Sequence, residues 1–309
     1  MTRFALTGLA GYIAPRHLKA IKEVGGVLVA SLDPATNVGL VDSFFPEAEF
    51  FTEPEAFEAY LEDLRDRGEG VDYLSIASPN HLHYPQIRMA LRLGANALSE
   101  KPLVLWPEEI ARLKELEART GRRVYTVLQL RVHPSLLALK ERLGQEKGAK
   151  DVVLTYVTGR GKWYGKSWKV DEAKSGGLAT NIGIHFFDLL AWLFGRALHV
   201  EVHARTPTVN AGYLELEGAR VRWFLSIDPS FVPEPLRRQG KRTYRSIAVD
   251  GEEVFYAAAS TEIHSPHTTL SLHDALPISR IQCRRFCSIT LTPLAIVLLR
   301  SAEIGRAHV

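Results

Sequence analysis

In the first 130 residues the apolar positions fall into short unbroken runs, separated by stretches where they recur every three or four residues. The runs "FALTGLA", "VLVASLD", "VDYLSIAS", "ANALSE" and "RRVYTVLQL" read as strands, with "AEFFTE" third in the count. "YIAPRHLKAIKEV" has helical spacing and ends at Gly25-Gly26, and "PEAFEAYLEDLRDRG" opens near Pro54 and closes on Gly68. Further helices are expected over 82–93 and 107–119. Strands that are apolar throughout, separated by amphipathic helices, predict a doubly wound parallel sheet of α/β class over residues 1–130.

After Leu130 the rhythm changes. A helix near 134–144 leads to the strand "VVLTYVTG", a loop rich in Gly and Lys over 161–178, and the apolar segment "TNIGIHFFDLLAWLFG" (180–195). Long alternating runs follow: "HVEVHART", "AGYLELE", "ARVRWFLSI", "YRSIAV" and "EEVFYA". Glu217-Gly218 and Asp250-Gly251 mark hairpin turns. The expectation is an α+β C-terminal domain over 131–264 with an open, mainly antiparallel sheet that keeps one face wet. In the apolar segment Asn181, His185 and Asp188 are spaced by four and then three, which places three polar side chains on one face of a helix.

Composition adds bounds. A hydrophobic fraction of 46% suits two medium domains, and a net charge of +3 with interleaved signs gives no reason to expect a nucleic-acid partner. The N-terminus shows no secretory signal pattern, and no stretch in 1–265 reads as a bilayer span, so a cytoplasmic protein with no membrane partner is expected. From about Ser265 the composition shifts. "SLHDALPIS" (271–279) and "EIGRAHV" (303–309) resemble in-frame translations of sequencing-adaptor DNA, so 265–309 is expected to be a non-native tail. Cys283 and Cys287 both fall there, which removes disulfides and Cys–metal sites; no metal is expected.

"GLAGYIAPRH" (8–17) stands where the first strand passes into the first helix. Gly8 permits a tight turn, Gly11 lets a backbone approach a pyrophosphate, and Ala14 allows close helix packing. With Tyr12 and Ile13 these form the candidate cofactor turn. Asp33, at the end of the second strand, suits the adenine ribose hydroxyls. No arginine closely follows it to meet a 2′-phosphate, which favours NAD over NADP.

The cofactor turn, "SIASPNHLHYP" (75–85), "SEKPL" (99–103) and "NIGIHFFD" together resemble the glucose-fructose oxidoreductase/inositol dehydrogenase family in order and spacing, over residues 1 to about 264. "LQLR" and "TGRGKWYGKSWK" bring it near the branch that acts on UDP-sugar acids of bacterial surface polysaccharides. The resemblance implies a Rossmann domain, NAD, a homotetramer, and oxidation of the C3 hydroxyl of UDP-N-acetylglucosaminuronic acid. It adds Ser78, Pro79, Asn80, His83, Glu100 and Lys101 to the cofactor set. Another sugar or an inositol as substrate, or a non-catalytic dinucleotide-binding protein, are the alternatives.

The chemistry assigned under this resemblance is as follows. Oxidising a hydroxyl needs a base, and histidine titrates near working pH without help; His185 takes that duty. Asn181 stands where the family often carries a proton-sharing aspartate and cannot take a proton. Lys101, at the C-terminal end of the fifth strand, would steady alkoxide character on the reacting oxygen. Arg160, Lys162, Trp163, Tyr164 and Ser167 form a cationic and aromatic substrate loop, and Arg131 would fork onto the sugar carboxylate. Asp188 either fixes the His185 ring or caps a backbone group. His17, His199 and His203 are assigned no chemistry.

Overall fold

The computed structural model describes residues 1–36 and 39–257, and the chain divides after Val127 into two compact units, three residues before the expected boundary. The tail over 265–309, with Cys283 and Cys287, lies outside the described residues.

The first unit holds β1 (Arg3–Thr7), β2 (Val27–Leu32), β3 (Glu49–Phe51), β4 (Tyr73–Ile76), β5 (Asn96–Ser99) and β6 (Val124–Thr126). They form one parallel sheet in the order β3-β2-β1-β4-β5-β6. The helices are α1 (Ala14–Glu23), α2 (Pro54–Asp66), α3 (His83–Arg92) and α4 (Pro107–Thr120). Prolines at the first helical positions of α1, α2 and α4 start each helix without wasting a backbone donor. The expected nine-residue run "RRVYTVLQL" contributes only three residues of strand. β6 is an edge strand whose one partner offers just Ala97, Leu98 and Ser99 for pairing, and the chain then turns into a short 3-10 segment, Gln129–Val132. Strand order reverses between β1 and β4, and ligands of such sheets gather at the strand ends beside that reversal.

The second unit holds α5 (Pro134–Leu143), β7 (Lys150–Thr158), α6 (Glu172–Ser175), α7 (Ile184–Phe194), β8 (Ala197–Arg205), β9 (Val209–Leu216), β10 (Ala219–Ser226), β11 (Thr243–Val249) and β12 (Glu252–Ala257). The sheet order is β12-β11-β7-β10-β9-β8. Every pair is antiparallel except β7 with β10, which run parallel. The connection between those two includes α6, α7 and the β8–β9 hairpin, long enough for a parallel crossover. At the β11–β12 hairpin Asp250 (φ 50°) and Gly251 (φ 86°) both take positive φ, as a two-residue type I′ turn requires.

α7 carries the core. Phe186, Phe187, Leu189 and Leu190 are fully buried against Leu154, Val221, Trp223 and Leu225 of the sheet. Phe187 meets Trp223 edge-on at 5.4 Å, and Phe186 meets Tyr156 at 4.9 Å, both favoured aromatic geometries. A π-helical turn, Ala179–Gly183, precedes α7, so the expected single helix over 180–195 is two helical types in series. Gly183 is the point of closest approach: a Cβ there would lie 2.6 Å from the Phe187 ring and 2.7 Å from Leu225.

One expectation is corrected. The span Glu172–Phe194 is long and apolar enough to cross a membrane, with 23 residues and a mean hydropathy of 1.3 in its most apolar window. Of that window 67% is buried within the protein, as suits a core helix with apolar residues on nearly every side.

Candidate active site

In the first unit the candidate cofactor residues collect at the C-terminal ends of β1, β2, β4 and β5. Gly8 has a φ of 82°, and a Cβ on it would lie 2.5 Å from the backbone of Ala77 and Ser78; a Cβ on Gly11 would lie 2.9 Å from the Gly8 carbonyl. The turn is therefore closed to any larger residue, and its bare backbone is what a pyrophosphate needs to approach. The Gly11 N–H donates to the Gly8 carbonyl at 3.0 Å, and α1 begins only at Ala14, so Tyr12 and Ile13 belong to the turn, Tyr12 being 81% exposed. Asp33 is buried, and its two oxygens accept the backbone N–H groups of Ala10 and Ala35, each at 2.9 Å. A carboxylate has lone pairs to spare beyond these, so ribose hydroxyls can still donate to it. The residues present thus fit an NAD molecule.

The turn after β4 is tied down by a residue that sequence reasoning missed. Gln86 of α3 accepts hydroxyl hydrogen bonds from Thr7 and Ser78, both at 2.7 Å. Pro79 leads into a 3-10 turn, Asn80–Leu82, in which Asn80 is buried.

The His83 ring is 1% exposed, with Nδ1 2.7 Å from the Pro102 carbonyl and Nε2 2.9 Å from the Ser78 carbonyl. It ties the turn after β4 to the turn after β5. Burial pushes its pKa below the ordinary histidine value, although both carbonyls and Glu100 oppose that shift. Glu100 and Lys101 follow β5, and the Lys101–Pro102 peptide is cis.

His17 was missed as well. It lies on the buried face of α1 and contacts Ser75 and Glu100 through its two ring nitrogens. The resemblance implies a histidine at this position of the first helix, which was the available signal.

In the second unit Asn181 is buried inside the π turn and His185 is half-buried at the start of α7. Irregular helical turns of this kind are frequent at functional sites, and here the turn carries one of the two polar residues assigned to chemistry. Asp188 is buried on α7, and its carboxylate faces Arg131. It receives both arms of Arg131: Nε donates to Oδ2 at 2.7 Å, and Nη2 donates to Oδ1. Arg131 was expected to fork onto a substrate carboxylate, and the structure gives that fork a carboxylate of the protein's own.

The loop after β7 forms short turns rather than open coil, with 3-10 segments at Tyr164–Lys166 and Trp168–Val170. The buried Tyr164 hydroxyl hydrogen-bonds with Asn181. Burial raises the tyrosine pKa, opposed by the Arg160 charge and by that bond. Arg160 lies over the Tyr164 ring at 5.7 Å, and Lys169 over Trp163 and Trp168 at 5.3 and 5.7 Å. Burial and the neighbouring Arg160 lower the Lys169 pKa. Two crowded cations against aromatic faces make a surface receptive to anions and rings. Ser167 spends its hydroxyl on the Tyr164 carbonyl at 2.8 Å, so it locks the turn. Lys162 and Trp163 are exposed, and no group of metal-binding side chains occurs among the described residues.

Comparison with known proteins matches the model described as oxidoreductase family, NAD-binding Rossmann fold, over residues 2–128. The C-terminal alpha/beta domain of the same oxidoreductase family matches 150–230. A crystal structure of the WlbA (WbpB) dehydrogenase from Thermus thermophilus in complex with NAD and alpha-ketoglutarate is 97% identical, covering 85% of each chain with a TM-score of 0.83. A second structure, of that dehydrogenase with NAD and UDP-GlcNAcA, is 97% identical over 84% of each chain with a TM-score of 0.82. An uncharacterized oxidoreductase of Synechocystis sp. is 32% identical over 44% of this chain. The chain spans 38% of the length of each of the first two curated relatives it matches.

Proposed function

This chain belongs to the glucose-fructose oxidoreductase/inositol dehydrogenase family of NAD-binding oxidoreductases, and on that premise we propose that it oxidises the C3 hydroxyl of UDP-N-acetylglucosaminuronic acid to the 3-keto sugar. The step would serve surface-polysaccharide (lipopolysaccharide O-antigen) biosynthesis, with the enzyme a cytoplasmic homotetramer. The observation that carries the reading is the 97% identity to a dehydrogenase crystallised with NAD and UDP-GlcNAcA.

Gly8, Gly11 and Asp33 hold the cofactor's pyrophosphate and ribose, and bound NAD supplies the two-electron acceptor for the hydrogen leaving carbon. His185 takes the hydroxyl proton. Asn181, four residues earlier, orients the sugar by hydrogen bonding and cannot share the proton. The Lys101 ammonium steadies the negative charge that develops on the oxygen. Arg160 and Lys169, with the Trp163 and Tyr164 rings, bind the anionic and aromatic parts of the nucleotide sugar.

The test is direct. The protein is incubated with NAD and UDP-N-acetylglucosaminuronic acid while absorbance of the reduced nicotinamide is followed, and the same is done with inositols and free sugars. Reduction that depends on the UDP group supports the reading; equal rates with an inositol favour the alternative substrate class. His185→Ala and Lys101→Ala should each lower turnover by about a hundredfold or more. Near-normal rates in both folded variants would end the assignment. Added 2-oxoglutarate, a ligand of the Thermus relative, reports whether the reduced cofactor is oxidised again.

A further inference from the structure

No step above uses His17, yet its ring is 1% exposed and both nitrogens meet polar side chains. Nδ1 lies 2.7 Å from Ser75 Oγ and Nε2 3.2 Å from Glu100 Oε1. A carboxylate only accepts, so Nε2 carries a proton aimed at Glu100 in either charge state of the ring. In the neutral ring Nδ1 is bare, and the Ser75 hydroxyl donates to it, which fixes the tautomer. The other oxygen, Glu100 Oε2, accepts the Lys101 backbone N–H at 3.3 Å. Ser75 is inside β4, His17 on α1 and Glu100 just past β5, so the relay draws on three elements and ends on the main chain of Lys101.

Burial by itself would push the Glu100 carboxyl toward its neutral form. The His17 hydrogen bond, with the charges of His17, Lys101 and His83, outweighs burial and holds the carboxyl below the usual glutamate range. The groups facing this carboxylate are thus His17 from α1, His83 from α3 and the neighbouring Lys101.

We propose that His17 is a positioning residue: with Ser75 behind it, it holds Glu100 against the main chain of Lys101 and so sets where the Lys101 ammonium stands. The inference rests on the reading of Lys101 as the group that steadies the reacting oxygen. Without the His17 N–H the buried carboxylate loses the donor on Oε1 and takes up a proton at higher pH, and the negative charge beside Lys101 is lost with it.

The test compares wild-type protein with His17→Phe, His17→Gln and Ser75→Ala in steady-state oxidation of UDP-N-acetylglucosaminuronic acid across acid and neutral pH. His17→Phe should lower kcat about ten- to a hundredfold, the worth of a hydrogen bond to a charged group, with KM for the sugar nucleotide within about twofold. Its acid limb should move to higher pH, and His17→Gln, which keeps an N–H donor, should restore most of kcat. Should His17→Phe not fold, Ser75→Ala carries the test with a loss of about fivefold, one neutral hydrogen bond. Nuclear resonance of nitrogen-15 histidine in the wild type should show His17 protonated at Nε2. Unchanged kcat and acid limb in the variants, or a neutral His17 protonated at Nδ1 alone, would overturn the proposal. The resonance measurement needs no turnover, so an inactive wild type defeats the reaction assignment while the tautomer still decides the geometry of His17.

Discussion

Arg131 closes its guanidinium fork on Asp188. Nε lies 2.7 Å from Oδ2, Nη2 bonds Oδ1, and the side chains are 19% and 9% exposed. The two residues are 57 positions apart, one just before α5 and one inside α7. A bidentate pair this enclosed fixes α7 beside the short segment Gln129–Val132 and leaves the Arg131 fork committed.

Breaking that pair from one side should be costly. Asp188→Ala leaves a half-enclosed guanidinium without its carboxylate and should destabilise the protein by about 3 kcal/mol, read from the urea midpoint. Replacing both partners with apolar residues of similar volume should recover most of the loss. If Asp188→Ala leaves stability intact and raises only KM for the sugar nucleotide, Arg131 serves the substrate and the pair is incidental.

Acidification should weaken the fold through His83. Its pKa lies below the ordinary 6.5 because burial disfavours the charged ring. From 6.5 down to that lowered value the unfolded chain binds the extra proton and the folded chain does not, so stability falls as pH drops and is flat above that window. Denaturant titrations at a series of pH values should show this slope in wild type and a shallower one in His83→Gln. Glu100 adds a second loss further down: its carboxyl is held below the ordinary 4.5, so its contribution is complete above that pH and disappears as pH falls through the lower folded value.

Gly8→Ala tests the cofactor turn. The new methyl would stand 2.5 Å from the Ala77 and Ser78 backbone, at a φ of 82° that costs an alanine about 1 kcal/mol even in open space. The turn must open, and NAD affinity measured by calorimetry should fall by about tenfold or more, an outcome incompatible with unchanged binding.

Asp33 should set the choice of cofactor. Its carboxylate is held by two backbone N–H groups and would repel a 2′-phosphate. Asp33→Ser should weaken NAD by about tenfold and narrow the preference over NADP. Identical discrimination in wild type and variant would remove Asp33 from the ribose site.

The division between what could be read along the chain and what could not follows the range of the forces involved. Strand runs, helix periods, the Pro54 start, the Gly8 turn and the Asp250-Gly251 hairpin are local: each depends on a few neighbouring residues and their backbone preferences, and each was legible in order. The sequence alone also placed Lys101 after β5 and His185 on the apolar segment. The parallel pairing of β7 with β10, the π turn around Asn181, the inward ring of His83, the relay through His17 and the partner of Arg131 were decided only by folding. Each of these depends on groups brought together from elsewhere in the chain, from Ser78 to His83 at five residues to Glu100 and His17 at 83. A buried donor takes whichever acceptor packing delivers, and that choice has no signature in spacing or composition.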